Sequence, residues 1–143
     1  MVYLDTSVAV SLLTPEKNSK SALSWLEDSN DTLLSCDWIK TEFSSALSIK
    51  RRLGQLTNAQ DQATRQEFDY FIKSGVRLAP VTRETFQLAA ELAGNPNMTL
   101  RAGDALHLAA ALAIGAKTMA TFDSNLAKHS KKLGLQLVHF KTP

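Results

Sequence analysis

Short apolar runs that read as strands alternate with longer runs of helical period along the chain, and this alternation restricts the fold more than any other feature. Val2 to Leu4 is β-branched, aromatic and aliphatic in turn, as suits a buried strand. Thr32 to Ser35, Val76 to Pro80, Lys117 to Phe122 and Leu135 to Phe140 read the same way, with Arg77 weakening the third. Helical stretches fill the gaps: Val8 to Leu13, about Glu16 to Asp28, Asp37 to Gly54, Thr57 to about Ser74, Thr82 to Gly94, Arg101 to Ile114 and Ser124 to Leu133. Strands joined through helices run parallel, and the helices cover both faces of the sheet they form. The expectation is an α/β chain with a central parallel sheet, and with no linker to divide residues 1–143 into more than one domain.

Local signals support these limits. Asp37 stands where an N-cap belongs. Thr57 with Gln60 forms a capping box. Lys50, Arg51 and Arg52 fill a last helical turn, as the macrodipole favours, and Gly54 stops the helix. The stretch from Arg101 to Ile114 is apolar nearly all round, so it is expected to be buried. Its polar exceptions are Asp104 and His107. His107 is expected to pack or hydrogen-bond within its own helix face. Trp25, Trp38 and Phe43 are expected to be core or groove lining.

Composition excludes several classes. A lone Cys36 rules out an intramolecular disulfide framework. No apolar stretch is long enough to span a bilayer, and the first residues lack the pattern of a signal peptide. A cytoplasmic protein without a membrane partner is therefore expected. The formal net charge of +2 permits an acidic partner without requiring one.

Topology alone places several carboxylates together. Parallel strands end at one edge of the sheet, and the helices that return antiparallel to them begin at that edge. Asp5 and Asp123 stand at strand ends, Asp104 in a first helical turn, and Glu42 about one turn into the helix after Asp37. Each also has a plain structural explanation. Asp5 and Asp123 could cap the helices that follow them. Asp104 could answer the helix dipole, and Glu42 could simply be solvated. None of these explains the shared address. At an effective dielectric of about 20, two carboxylates 4 Å apart repel by roughly 4 kcal/mol. Either one takes a proton or a cation lies between them. Oxygen donors suit a hard cation, Mg²⁺ or Mn²⁺. Zinc is rejected because Cys36, His107, His129 and His139 show no ligand spacing.

The same residues carry a family resemblance. Val2-Tyr3-Leu4-Asp5-Thr6-Ser7, Thr41-Glu42-Phe43, Gly103-Asp104-Ala105-Leu106-His107-Leu108-Ala109 and Thr121-Phe122-Asp123 resemble the successive motifs of PIN-domain ribonucleases, above all the VapC-type toxins of toxin–antitoxin pairs. The resemblance spans the whole chain and is most specific in the Asp104 helix. One departure is Leu126, where family members often carry an aromatic residue.

The resemblance implies a three-layer α/β/α fold with about five parallel strands in the order 3-2-1-4-5. It implies that Asp5, Glu42, Asp104 and Asp123 are the catalytic acidic quartet that holds Mg²⁺ or Mn²⁺, with Ser7 and Thr121 as supporting hydroxyls. Within it, Asp5 and Asp104 are the main metal ligands, Asp123 completes the site, and Glu42 holds a water or a second ion. The implied reaction is hydrolysis of RNA, tRNA or rRNA among the candidates, leaving 5′ phosphate and 3′ hydroxyl ends. Lys40 and Arg101 are the nearest basic candidates for RNA binding. The implied partners are a small VapB-like antitoxin and a second copy of the chain. Two other readings keep the same residues: a PIN nuclease of RNA processing without an antitoxin, and a non-catalytic PIN-like binding module. A phosphatase is rejected because Thr6-Ser7-Val8 offers no second Asp beside Asp5.

Overall fold

The structure is a computed structural model that describes residues 1–142; Pro143 lies outside the described residues. Five strands form one sheet: β1 (Val2–Leu4), β2 (Leu33–Cys36), β3 (Val76–Ala79), β4 (Thr118–Ala120) and β5 (Gln136–Leu137). Their spatial order is β3-β2-β1-β4-β5, and every neighbouring pair is parallel. This is the order the resemblance implied. The described helices are α1 (Thr6–Leu13), α2 (Ser19–Asp28), α3 (Trp38–Arg52), α4 (Asn58–Gly75), α5 (Arg83–Gly94), α6 (Ala102–Ala113) and α7 (Ser124–Lys132).

Strand periodicity divides the core in two. Side chains alternate across a strand, so Tyr3 enters one apolar cluster while Val2 and Leu4 enter the other. Tyr3, Leu34 and Met119 pack with Ala89 and Leu92 of α5, the α6 run from Ala105 to Ala111, and Leu126 of α7. Val2, Leu4 and Leu33 pack with Val8 and Ala9 of α1, Ile39, Phe43 and Leu47 of α3, and Phe68 and Ile72 of α4. The rings of Phe43 and Phe68 stack with centroids 4.0 Å apart. Three layers result, as expected. The central strand is buried throughout, and the α6 stretch from Ala105 to Ala111 is buried, as a helix apolar on every side requires.

Some expected boundaries shift for identifiable reasons. The fourth strand was expected to reach Phe122 but ends at Ala120. Thr121 and Phe122 leave the ladder because their polar groups turn toward the first helix: the Phe122 amide donates to Ser7 Oγ at 3.0 Å. The second helix starts at Ser19 rather than Glu16, because Ser19 Oγ accepts from the Glu16 amide at 2.8 Å and donates to the Thr14 carbonyl at 2.9 Å, closing a turn there. The last strand shortens to Gln136–Leu137, and Val138 and Phe140 pack instead beside the second cluster. Phe140 lies edge-on to Trp25, centroids 5.5 Å apart.

Caps also divide. Thr57 and Gln60 form the full capping box, and Thr82 caps α5 through the Thr85 amide. Asp37 does not cap with its side chain: its backbone is already helical, and its carboxylate pairs with Lys40 at 3.7 Å. Among the described residues, no helix is long and apolar enough to cross a membrane.

Candidate active site

The carboxyl edge of the sheet opens into a cleft of about 550 Å³. Asp5, Ser7, Glu42, Arg101, Asp104 and Asp123 all line it. They arrive from the β1–α1 junction, α1, α3, the approach to α6, α6 and the β4–α7 junction. The four acidic residues singled out in the sequence therefore meet. Lys40 is not among the lining residues; it is exposed and paired with Asp37.

Asp5 stands at the tip of the central strand and is 5% exposed. Its carboxylate does not cap α1. Oδ2 accepts from Ser7 Oγ at 2.7 Å and from Thr121 Oγ1 at 2.8 Å, while Oδ1 stands 3.6 Å from His107 Nε2. Two hydroxyls from separate elements thus fix the plane of the carboxylate. Thr121 Oγ1 also accepts from the Asp123 amide at 3.0 Å, which ties the two strand tips together.

Asp123 has two roles at once. Oδ1 accepts from the amides of Asn125 and Leu126, both at 2.9 Å, so the capping explanation holds for that oxygen. Oδ2 faces the cleft and lies 3.5 Å from the Arg101 guanidinium. Asp104 lies in the first turn of α6, with Oδ2 3.6 Å from Arg101 Nε. Burial pushes the Asp104 carboxyl above its usual 3.8, and the charges of Asp123 and Asp5 push it the same way, against the pull of Arg101. The helix dipole does not settle this residue. Three carboxylates line one cleft, with the 81% exposed Arg101 guanidinium beside Asp104 and Asp123 and the buried His107 imidazole beside Asp5.

Glu42 is held differently. Oε1 accepts from Thr6 Oγ1 at 2.7 Å and from His107 Nε2 at 2.5 Å. Oε2 faces the first turn of α6, where a Cβ on Gly103 would stand 2.8 Å away and also 3.3 Å from Trp38 Nε1. Glycine there leaves room for the carboxylate. Burial alone would raise the Glu42 carboxyl, but the hydrogen bond and charge of His107, the Thr6 hydroxyl and the Trp38 indole hold it below 4.5.

His107 corrects the expectation that it packs within its own helix face. It is fully buried, yet Nε2 meets Glu42 and Nδ1 lies 2.8 Å from Tyr3 Oη. Burial would lower its pKa, but hydrogen bonding to Cys36 and Glu42 and the charges of Asp5 and Glu42 push it up to about 10. The signal was present in the sequence. Asp104 and His107 are three apart on one helix, hence on the same face. Trp38 lines the cleft, as its groove-lining expectation had it, whereas Thr6 and Gly103, although inside the family motifs, were given no role in the site.

Asp5, Glu42 and His107 each offer a ligand atom, and these lie within 4.8 Å of one another. Nε2 of His107 is already committed to Glu42 Oε1. The other acidic donors at the cleft are Asp5 Oδ1, Asp104, Asp123 Oδ2 and the Glu42 carboxylate. Such a set of oxygen donors fits a hard divalent cation rather than zinc.

Comparison with known proteins decides the family. The model of the PIN domain matches residues 2–132. This chain belongs to the PIN-domain family. Two relatives of the PIN domain from Mycobacterium tuberculosis, ribonuclease VapC45 and ribonuclease VapC49, are each 36% identical over 115 residues, spanning 80% of this chain and 77% of their own. Among solved structures, Mycobacterium tuberculosis VapC20, a sarcin-ricin loop cleaving toxin, is similar with a TM-score of 0.73 at 16% identity, covering 100% of this PIN chain and 98% of that one. FitAcB from Neisseria gonorrhoeae gives 0.73 at 16% identity, with 97% of each chain covered. VapBC2 from Rickettsia felis, bound to a DNA fragment from its promoter, gives 0.66 at 18% identity, covering 99% of this chain and 100% of that one. These structural likenesses concern the PIN fold alone.

Proposed function

We propose that this chain, one PIN domain over residues 1–143, is the toxin of a toxin–antitoxin pair: an endoribonuclease that hydrolyses RNA phosphodiester bonds with Mg²⁺ or Mn²⁺ in the acidic cleft. The observation that carries the reading is the convergence of Asp5, Glu42, Asp104 and Asp123 from four separate elements on one cleft. The relatives named ribonuclease VapC supply the reaction class.

In this reading Asp5 Oδ1, Asp104 and Asp123 Oδ2 would hold the cation, and Glu42 would hold a metal-bound water or a second ion. When bound, the ion supplies charge neutralisation at the phosphate, a more acidic water and stabilisation of the leaving 3′ oxygen. Ser7 and Thr121 keep Asp5 in one orientation, so that no reorganisation is needed as charge develops. Arg101, exposed at the rim, is placed to meet a phosphate of the RNA backbone. Lys40 lies outside the cleft and would contribute only to the longer-range field.

A small VapB-like antitoxin is the proposed partner, by analogy with VapBC2 and FitAB, each described with bound DNA. Pairing into a homodimer is proposed on the family resemblance.

The test is cleavage of a structured RNA by purified protein with Mn²⁺. Wild-type protein should cut, leaving 5′ phosphate ends, and Asp5→Asn should abolish cutting. Equal cutting by the two would mean that the cleft is not the active site.

A further inference from the structure

A chain of buried side chains runs from the sheet interior to the cleft and ends on Glu42. Tyr3, on the central strand, and His107, on α6, are both 0% exposed. Tyr3 Oη donates to Cys36 Sγ at 3.1 Å and lies 2.8 Å from His107 Nδ1. The two rings meet edge to face, with centroids 5.7 Å apart. On the far side of the imidazole, Nε2 donates to Glu42 Oε1 at 2.5 Å. Thr6 Oγ1 donates to the same oxygen at 2.7 Å and lies 3.0 Å from Nε2. One oxygen of Glu42 is thus held by two donors from two elements, while Oε2 lies against Gly103, next to the Trp38 indole.

We propose that Tyr3 and His107 are positioning residues that fix the rotamer of Glu42, so that its carboxylate is held beside Asp5 where a divalent cation would bind. The inference rests on the metal-dependent reading of the cleft. A glutamate on an exposed helix samples many rotamers, and a ligand that must be ordered on binding weakens the site. Here the ordering is built into the fold. The imidazole cannot turn, because Tyr3 holds Nδ1 and the core encloses the ring. Glu42 cannot swing away without leaving the buried Nε2 unpaired, which is costly. Groups that orient metal ligands in this way are known to govern affinity through geometry, without touching the ion.

A purely structural network makes a different forecast. It would change folding stability and leave the metal affinity of the folded protein alone.

The test uses the full chain and Mn²⁺ alone, with binding followed by titration calorimetry and by the electron paramagnetic resonance of free Mn²⁺. Tyr3→Phe keeps the buried ring and removes only the hydroxyl. It should raise the Mn²⁺ dissociation constant about tenfold. His107→Gln should raise it at least as much. In a Glu42→Gln background, adding Tyr3→Phe should change the constant by less than about twofold, because the two residues act through one carboxylate. Wild-type Mn²⁺ affinity in folded Tyr3→Phe would overturn the inference, as would an equal loss with or without Glu42. Should His107→Gln not fold, Tyr3→Phe decides alone. Asp5→Asn separates the two levels. If it abolishes Mn²⁺ binding while Tyr3→Phe has no effect, only the positioning inference fails. If Asp5→Asn binds Mn²⁺ like wild type, the metal reading of the cleft fails as well.

Discussion

The hydroxyl of Thr121 donates to Asp5 Oδ2 at 2.8 Å, across 116 positions of sequence. The same oxygen of Thr121 accepts from the Asp123 amide at 3.0 Å. One side chain therefore orients the carboxylate at the tip of the central strand and sets the turn that carries its neighbour. Thr121→Val keeps the shape and deletes both bonds. A part-buried hydrogen bond to a charged group is worth about 1.5 kcal/mol, and the variant should lose at least that. Urea unfolding should show the midpoint falling with the slope unchanged. Unaltered stability would mean that Asp5 does not depend on this hydroxyl.

Asp104 titrates as a strained acid. Its folded pKa lies above 3.8, first through burial and then through Asp123 and Asp5. The folded state therefore binds this proton more tightly than the unfolded chain does. The associated stability is present below about pH 3.8 and is lost as pH rises through the folded value. At neutral pH the ionised carboxylate is a net cost. Asp104→Asn should raise the melting temperature of metal-free protein by a few degrees and remove most of the rise that Mn²⁺ produces in wild type. A lower melting temperature both with and without metal would favour the dipole explanation instead.

His107 should remain an imidazolium across the neutral range. Its pKa is raised from 6.5 to about 10 by Cys36, Glu42 and Asp5 against the effect of burial. For a base with a raised folded pKa, the stabilisation is complete below the unfolded value of about 6.5. It is lost as pH rises through about 10. Side-chain ¹⁵N shifts of His107 in metal-free protein should stay in the imidazolium range from about pH 6 to about pH 8.5, beyond the span in which a solvent-exposed histidine titrates. The stability difference between wild type and His107→Gln should narrow as pH climbs toward 10. A midpoint near 6.5 would remove the charge from this network.

Arg101 and Lys40 should differ in their effect on RNA. Arg101 reaches Asp104 and Asp123 at the cleft, whereas Lys40 pairs with Asp37 outside it. Arg101→Gln should weaken RNA binding to the catalytically silent Asp5→Asn protein and reduce the salt slope by about one. Lys40→Gln should have the smaller effect on both. Equal effects would show that only the long-range field matters.

The alternation of strand and helix was legible because each element declares its own period. Tyr3 and its neighbours could only be a buried strand, and the Ala105 to Ala111 run could only be a helix wrapped in core. The meeting of Asp5, Asp104 and Asp123 was legible for a topological reason: parallel strands end, and their helices begin, at one edge. Side-chain direction was not legible. Asp5 and Asp37 stand in similar places, each just before a helix. Asp5 turns to Ser7 and Thr121, whereas Asp37 turns to Lys40 on the surface. His107 looked like packing because its neighbours in sequence are apolar, and its true neighbours come from β1 and α3.

By itself, then, the sequence determined the order of elements, the parallel sheet and the edge at which the acids collect, since these follow from local periodicity and chain direction. Only the tertiary structure decided how each carboxylate is held: Asp5 by two hydroxyls, Asp123 split between a cap and the cleft, and Glu42 pinned by a buried histidine. The physical reason is range. A period is set by residues a few positions apart, but a hydrogen bond between Glu42 and His107 depends on where α3 and α6 come to rest on the two sides of one sheet.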